Sequence, residues 1–143
     1  AAAGNQGFAN WFSIQFQEEQ AHATIFMKYV LSCGGKVTLA PIAGVKTEWK
    51  SPLEAFEDTL AHERKVTALI HGLCVLADEE KDFGTANMLK WFVDEQIEEE
   101  ANAQELIDSL KMIKDNGFGL YMLDKELKAR VYTTPAPLAT SAE

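Results

Sequence analysis

The 143-residue sequence predicts an all-α fold in which long amphipathic helices pack as a bundle. Three observations support this fold class. Three long stretches and one short one carry apolar residues at helical spacing, residues typical of helix ends flank them, and the links between them differ sharply in length. We expect one domain over residues 1–130, followed by a loose tail over residues 131–143 that contains two prolines.

The first helix is predicted over about residues 7–33, because Gly34 and Gly35 can adopt the left-handed conformation that ends many helices. Its apolar stripe consists of Phe8, Trp11, Phe12, Phe26, Tyr29 and Val30. Residues 36–50 lack this spacing. We expect them to form an extended crossing segment with room for one short strand.

Helix-end signals are clearest before the second helix, which is predicted over residues 52–79. Ser51 can cap it, Pro52 suits its first position, and Glu54 completes a capping box. Turn residues then predict a turn at 82–84, a third helix over about 85–114 and a short helix over about 120–130. The stripes of the two long helices are Phe56, Leu60, Thr67, Ile70 and Cys74, and Leu89, Phe92, Ala103, Leu106, Leu110 and Ile113.

The lengths of the two links predict how the helices connect. The short turn at 82–84 makes the second and third helices antiparallel neighbours. The link between the first two helices has about 16 residues and can span roughly 50 Å, which is enough to run the length of a helix of about 27 residues. The first two helices can therefore run parallel, which gives a bundle with one long crossover.

Composition excludes several classes of function. The net charge of -9 argues against nucleic-acid binding, which needs basic patches. An acidic balance suits both solubility and the attraction of metal cations, and the charge alone does not choose between them. No apolar run approaches the ~20 residues of a membrane-spanning helix. The two cysteines are isolated, form no disulfide framework and fit a reducing cytoplasm, so we expect a cytoplasmic protein without a membrane partner.

Polar residues interrupt all three stripes where apolar residues are expected, at Gln15, Glu19, His22, Glu63, Gln96 and Glu99. Three carboxylates that face one core cannot stay ionised without a counter-charge, because each costs several kcal/mol of desolvation. Since the same stripes carry no Lys or Arg, a bound cation is the remaining explanation.

The spacing of these residues also indicates a metal. Glu19 and His22 lie three residues apart, which places both on one helical face, and Gln96 and Glu99 repeat this geometry. Ligands rich in oxygen with a single imidazole suit iron or manganese. Taken alone, Glu63 is typical of a solvated charge and the acidic run 98–100 of an exposed face. Metal binding is favoured because all of these polar residues fall at inward positions of the three apolar stripes.

The sequence resembles the bacterial-type non-haem ferritins almost without interruption from residue 7 to residue 130. The matching stretches are Gly7-Phe8-Ala9-Asn10-Trp11-Phe12, Glu18-Glu19-Gln20-Ala21-His22-Ala23, Trp49-Lys50-Ser51-Pro52-Leu53-Glu54-Ala55-Phe56, His62-Glu63-Arg64-Lys65, Trp91-Phe92-Val93-Asp94-Glu95-Gln96-Ile97-Glu98-Glu99-Glu100 and Leu123-Asp124-Lys125-Glu126-Leu127. The resemblance implies a ferritin-like four-helix bundle with one long crossover and a short C-terminal helix. Because the chain begins near the end of the family's first helix, we expect it to lack that helix.

The resemblance also implies a di-iron ferroxidase centre. Glu19 would bridge the two irons and His22 would bind the first. Glu63 and Glu99 would bind the second iron, with Gln96 beside it as a hydrogen-bonding or weak ligand. A nearby third iron site is frequent in the family, and it would use Glu99 together with the acidic residues Glu18, Glu95 and Glu98. Haem is not expected, because Gln20 occupies the position of the haem-ligating Met of bacterioferritins.

The function that follows is iron storage with ferroxidase activity. Fe(II) would be oxidised by O₂ or peroxide and stored as mineral in a shell of 24 identical subunits, as the resemblance implies. Two alternatives remain open. One is a non-catalytic, iron-binding or structural cage subunit. The expected lack of the family's first helix favours it, because in the family that helix supplies a glutamate ligand to the first iron. Peroxide reduction in the manner of the rubrerythrins would require an external electron donor.

Overall fold

The structure, a computed structural model, describes residues 4–139 and contains only helices as regular elements within that range. The helices are α1 (Gln6–Ser32), α2 (Pro52–Glu79), α3 (Phe83–Ile113), α4 (Gly117–Leu127) and α5 (Ala136–Ala139). The described residues form two compact units, one made of residues 4–46 and 116–139 and the other of residues 47–115. No helix within this range is long and apolar enough to cross a membrane.

The first unit is built on the contact of α1 with α4. The N-cap residue of α1 makes no side-chain capping bond, and the carboxylate of Asp124 in α4 caps this helix instead. Asp124 Oδ1 accepts hydrogen bonds from the backbone N–H groups of Gly7 (2.9 Å) and Phe8 (3.0 Å). The Asn10 amide donates to the carbonyl oxygens of Leu127 (3.1 Å) and Arg130 (2.9 Å) at the end of α4. Four hydrogen bonds thus fix α4 against the first turn of α1.

The second unit is the antiparallel pair of α2 and α3, as the short connecting turn predicted. Lys111 near the end of α3 lies 3.3 Å from the carboxylate of Glu57 near the start of α2, whereas Thr67, further along α2, contacts Glu100, which comes earlier in α3. The apolar core of this unit is Phe56, Leu60, Ile70, Ala77, Leu89, Phe92, Ala103, Ile107 and Leu110. Seven of the eleven predicted stripe residues of these helices are thus buried, and Ile107 and Ala77 belong to the core as well. Thr67, Cys74, Leu106 and Ile113 are only half-buried, because they lie at the edges of the two stripes.

The predicted helices exist, with boundaries that shift where a polar residue acts as a cap. Ser51 accepts from the backbone N–H of Glu54 (3.1 Å), and the Glu54 carboxylate accepts from the backbone of Lys50 (2.6 Å) in place of Ser51. Asp82 and Asn116, interpreted above as turn residues, are N-caps in the same way. The third and fourth helices accordingly begin at Phe83 and Gly117, before the predicted starts at 85 and 120.

The short strand expected in the crossing segment does not form. Residues 36–50 form no regular secondary structure and all but Val37 are exposed, with Leu39 and Ile42 among the most exposed apolar side chains. A strand needs a partner whose backbone completes its hydrogen bonds, and residues 4–139 contain no such partner. The predicted loose tail contains the single turn of α5, which contacts α1, and its last four residues lie outside the described range.

Candidate functional site

Five of the six polar residues predicted to interrupt the stripes are buried, with exposed fractions between 3% and 7%: Gln15, His22, Glu63, Gln96 and Glu99. The prediction that Glu19 also faces the core is wrong, because its side chain is 45% exposed. The buried stripe of α1 continues through Ile14, Ala21 and Ile25. Helical spacing from these residues places Glu18 near the centre of the stripe and Glu19 at its edge.

Within α1, Glu19 and His22 meet as the three-residue spacing predicted. Glu19 Oε2 lies 3.6 Å from His22 Nδ1, which is too long for a hydrogen bond. Two atoms that each lie about 2.1 Å from one metal ion are at most about 4.2 Å apart. This pair therefore suits a shared cation better than a direct bond.

Glu18 has a partner that the sequence analysis missed. Arg130, just after α4, donates from Nη2 to Glu18 Oε2 at 2.6 Å, and its Nη1 lies 3.3 Å from Gln15 Oε1. The guanidinium also stacks 4.8 Å from the ring centroid of Trp11. Arg130 lies outside the three apolar stripes and 112 positions from Glu18 in the sequence, so helical periodicity does not predict this pair. The guanidinium of Arg130 thus already binds one carboxylate that was assigned to the third iron site.

In the second unit, Glu63 and Gln96 meet across the helix pair. Gln96 Nε2 lies 3.2 Å from the Glu63 carbonyl oxygen, 3.4 Å from Glu63 Oε2 and 3.3 Å from Thr67 Oγ1. Thr67 in turn lies 2.6 Å from Glu100 Oε1. Neither Thr67 nor Glu100 was a predicted site residue. The position of Thr67 in the α2 stripe, one turn after Glu63, was the signal that could have suggested its role.

The remaining predicted residues differ in exposure. Carboxylate oxygens of Glu95 and Glu99, one turn apart on α3, lie within 4.8 Å of each other. Glu95 is half-buried and Glu99 is buried, whereas Glu98 is exposed. Three acidic residues were assigned to the third iron site alone. Of these, Glu18 is already paired with a guanidinium and Glu98 faces solvent, so only Glu95 lies in partly buried surroundings.

The donor atoms available are carboxylate oxygens, one amide group and one imidazole nitrogen. Hard anionic oxygen favours divalent and trivalent iron and manganese over metals that prefer thiolate. Burial of Glu63 and Glu99 adds a second reason, since desolvated carboxylates interact strongly with a cation in their surroundings. Each unit thus carries donors whose chemistry fits iron.

Comparison with known proteins shows what kind of protein carries these donors. Residues 2–113 match the family model described as a ferritin-like domain. The bacterial non-heme ferritin of Staphylococcus saprophyticus is 42% identical over 127 residues, which covers 89% of this chain and 76% of that protein. The bacterial non-heme ferritin of Bacteroides fragilis is 41% identical, with 89% and 79% coverage.

Solved structures agree with this relationship. An open-pore ferritin from the archaeon Archaeoglobus fulgidus superposes with a TM-score of 0.90 at 44% identity, over 91% of this chain and 80% of that one. An engineered closed form of the same ferritin also gives 0.90. The chain belongs to the ferritin-like family. The resemblance to bacterial-type non-haem ferritins and the all-α, ferritin-like fold class are thereby confirmed.

Proposed function

We propose that this protein stores iron and oxidises Fe(II) to Fe(III) at a carboxylate-bridged di-iron centre. The observation that carries the proposal is the burial of Glu63 and Glu99, with Gln96, at stripe positions that an ordinary helix pair fills with apolar side chains. Family membership supplies the second support, because the relatives are named as non-heme ferritins. Haem has no part in the proposal.

The proposed ligands divide between the two irons. Glu19 and His22 bind the first iron, and their 3.6 Å separation supports this role. Glu63 and Glu99 bind the second, while Gln96 orients Glu63 through its amide nitrogen or contributes a weak oxygen ligand. Glu19 also bridges the two ions, a role that carboxylates fill because their two oxygens can bind one ion or two. Glu95 and Glu98 are the proposed acidic residues of a third iron site. Glu18 is the third such residue, and its ion pair with Arg130 competes with metal binding there.

The proposed reaction balances with iron as the electron donor. Two Fe(II) ions each give one electron, so that one O₂ takes up two electrons and two protons to become H₂O₂. With H₂O₂ as oxidant, two further electrons and two protons give two molecules of water. The protein contributes the ligands that favour Fe(III), because anionic carboxylates stabilise the more highly charged ion.

Storage requires an enclosed volume, and we propose that identical subunits provide it as a 24-subunit shell in the cytoplasm. Apolar side chains on one exposed face of α2 support self-association: Leu69 is 61%, Leu73 41% and Leu76 52% exposed. Monomeric proteins rarely leave such a contiguous apolar stripe in solvent.

A second candidate function is a shell subunit that binds iron without turnover. The exposure of Glu19 favours it, because the bridging ligand is then not held in place by packing. O₂ uptake distinguishes the two functions, since a non-catalytic subunit binds Fe(II) without consuming O₂.

The test measures O₂ consumption after addition of Fe(II) to the assembled protein. We expect rapid uptake, and a loss of at least about ten-fold in Glu63→Gln, which keeps the side-chain volume and removes the charge. Glu79→Gln is the matched control, since Glu79 is exposed at the last residue of the same helix. Oxidation at the wild-type rate in Glu63→Gln would contradict the site assignment. Iron binding without O₂ uptake in the wild type would support the second candidate.

A further inference from the structure

The hydroxyl of Thr67 connects two residues of the proposed site to a carboxylate outside it. It lies 2.6 Å from Glu100 Oε1, 3.3 Å from Gln96 Nε2 and 3.0 Å from the Glu63 carbonyl oxygen. Arg64 Nε lies 3.6 Å from the other oxygen of Glu100. Neither Thr67 nor Glu100 is assigned a role by the function proposed above.

The direction of these hydrogen bonds follows from the number of protons. A threonine hydroxyl has one hydrogen to donate and two lone pairs to accept with. A charge-assisted bond to a carboxylate at 2.6 Å is stronger than a bond to a backbone carbonyl at 3.0 Å, so Thr67 donates to Glu100. Its lone pairs then face the Gln96 amide and accept from it.

This direction settles the orientation of the Gln96 amide. Three acceptors lie on one side of it: the Glu63 carbonyl oxygen, Glu63 Oε2 and Thr67 Oγ1. Only the NH₂ group can face them, because the amide oxygen would meet three oxygens. The amide nitrogen is thereby held against the Glu63 carboxylate, and the amide oxygen is directed away from it.

We propose that Thr67 and Glu100 are positioning residues for metal binding. The chain from Gln96 to Thr67 to Glu100 fixes the Gln96 amide, and the amide in turn orients the carboxylate of Glu63. This inference rests on the proposed function, because it assumes that Glu63 binds metal. It adds two residues that contact no metal and act only through hydrogen bonds.

Thr67→Val removes this series of hydrogen bonds and keeps the side-chain shape. Without the hydroxyl, Gln96 loses one of its three acceptors and Glu100 loses a donor, so that only the two Glu63 oxygens still hold the amide. Loss of such an outer partner typically weakens metal binding by 10–100-fold. Thr67→Ser keeps the hydroxyl and should restore binding to within about three-fold of the wild type. Thr59→Val is the matched control, since Thr59 lies two turns earlier on α2 and its hydroxyl donates only to its own helix, at Ala55 O.

The experiment titrates the intact wild-type protein and each variant with Co(II), whose absorption reports both affinity and ligand geometry without turnover. We expect the Kd of Thr67→Val to rise about ten-fold with an altered spectrum, and Thr59→Val to match the wild type. In Fe(II) oxidation, KM should rise by a similar factor with a smaller change in kcat, because uniform binding is lost. Wild-type affinity and spectrum in Thr67→Val would overturn the proposal.

Two further variants separate this inference from the proposed function. Glu63→Gln should lose most Co(II) binding at this position. If Glu63→Gln binds Co(II) as the wild type does, the proposed site itself is wrong; if only Thr67→Val does, the positioning role alone is wrong. Glu100→Gln keeps an acceptor but removes the charge, so we expect a smaller loss of about three-fold. An increase or no change there would contradict the direction assigned to the chain, even if Thr67→Val were to fold poorly.

Discussion

Gly7 of α1 lies directly against the backbone of Asp124 in α4, and a methyl group at Gly7 should separate the two helices. A Cβ atom added at Gly7 would overlap the carbonyl oxygen of Asp124 and lie 2.5 Å from its carbonyl carbon. Carbon atoms in contact are about 3.5–4.0 Å apart, so α4 must move by at least about 1 Å. The obstacle is backbone, which cannot rotate away as a side chain could.

That displacement breaks the cap of α1. The bonds from the Asp124 carboxylate to the Gly7 and Phe8 amides are 2.9 and 3.0 Å long, and about 1 Å of stretching takes both beyond hydrogen-bonding distance. Hydrogen bonds to charged groups contribute about 1.5–3 kcal/mol each. Allowing for partial exposure and for up to about 1 kcal/mol of helix propensity gained by alanine, Gly7→Ala should lower the free energy of unfolding by about 2 kcal/mol.

Denaturant unfolding followed by circular dichroism measures this loss, and hydrogen exchange at the amides of residues 7 and 8 localises it. Gly72→Ala is the control, because a Cβ at this exposed position of α2 meets nothing within 4 Å and should stabilise by up to about 1 kcal/mol. Asp124→Ala should reproduce most of the loss without the clash. Equal stability of Gly7→Ala and Gly72→Ala would refute the reasoning.

Two electrostatic predictions concern stability. Arg130→Gln should lower the free energy of unfolding by about 1–3 kcal/mol in denaturant titrations, because it removes a short, largely buried ion pair with Glu18. Lys111→Gln breaks an exposed ion pair with Glu57 and should cost under about 0.5 kcal/mol. Equal losses in the two variants would contradict this prediction. The Thr85 hydroxyl, and then its backbone N–H, lower the pKa of Asp82 below 3.8. The stabilisation from Asp82 is therefore present above that value and lost as pH falls through the folded-state pKa. In thermal melts from about pH 6 to 3, the difference between wild type and Asp82→Asn should shrink below about pH 4; a constant difference would count against it.

The helices and most buried polar positions could be predicted from sequence because their determinants are local. The Ser51 cap predicts the start of α2, and the regular three- and four-residue spacing predicts most of the buried faces of α2 and α3. The register of α1 was less secure, because its stripe was inferred from apolar residues at the two ends. Interpolating between Phe12 and Phe26 placed Glu19 inward, whereas Ile14 and Ile25 show that the stripe passes closer to Glu18.

Contacts between distant residues were beyond reach of the sequence alone. Arg130 reaches Glu18 only because α4 folds back on α1, and no periodic pattern reports that contact. The hydroxyl of Thr67 was recognised as part of a stripe, but its bond to Glu100 depends on the register of two helices. Asp82 and Asn116 are predicted from the sequence as turn residues, whereas the structure shows that each is the N-cap of the helix that follows.

Glu95 and Glu99 place two like charges close together on α3, which weakens the folded state. Like charges one turn apart destabilise a helix by about 0.2–0.5 kcal/mol, and the burial of Glu99 increases that penalty. Under the proposed function, iron that binds the folded chain more tightly than the unfolded one shifts the folding equilibrium by mass action, by about 2.7 kcal/mol at a hundred times its Kd. Lifetime in the cell would then follow iron supply, so that subunits starved of metal are the first to be degraded.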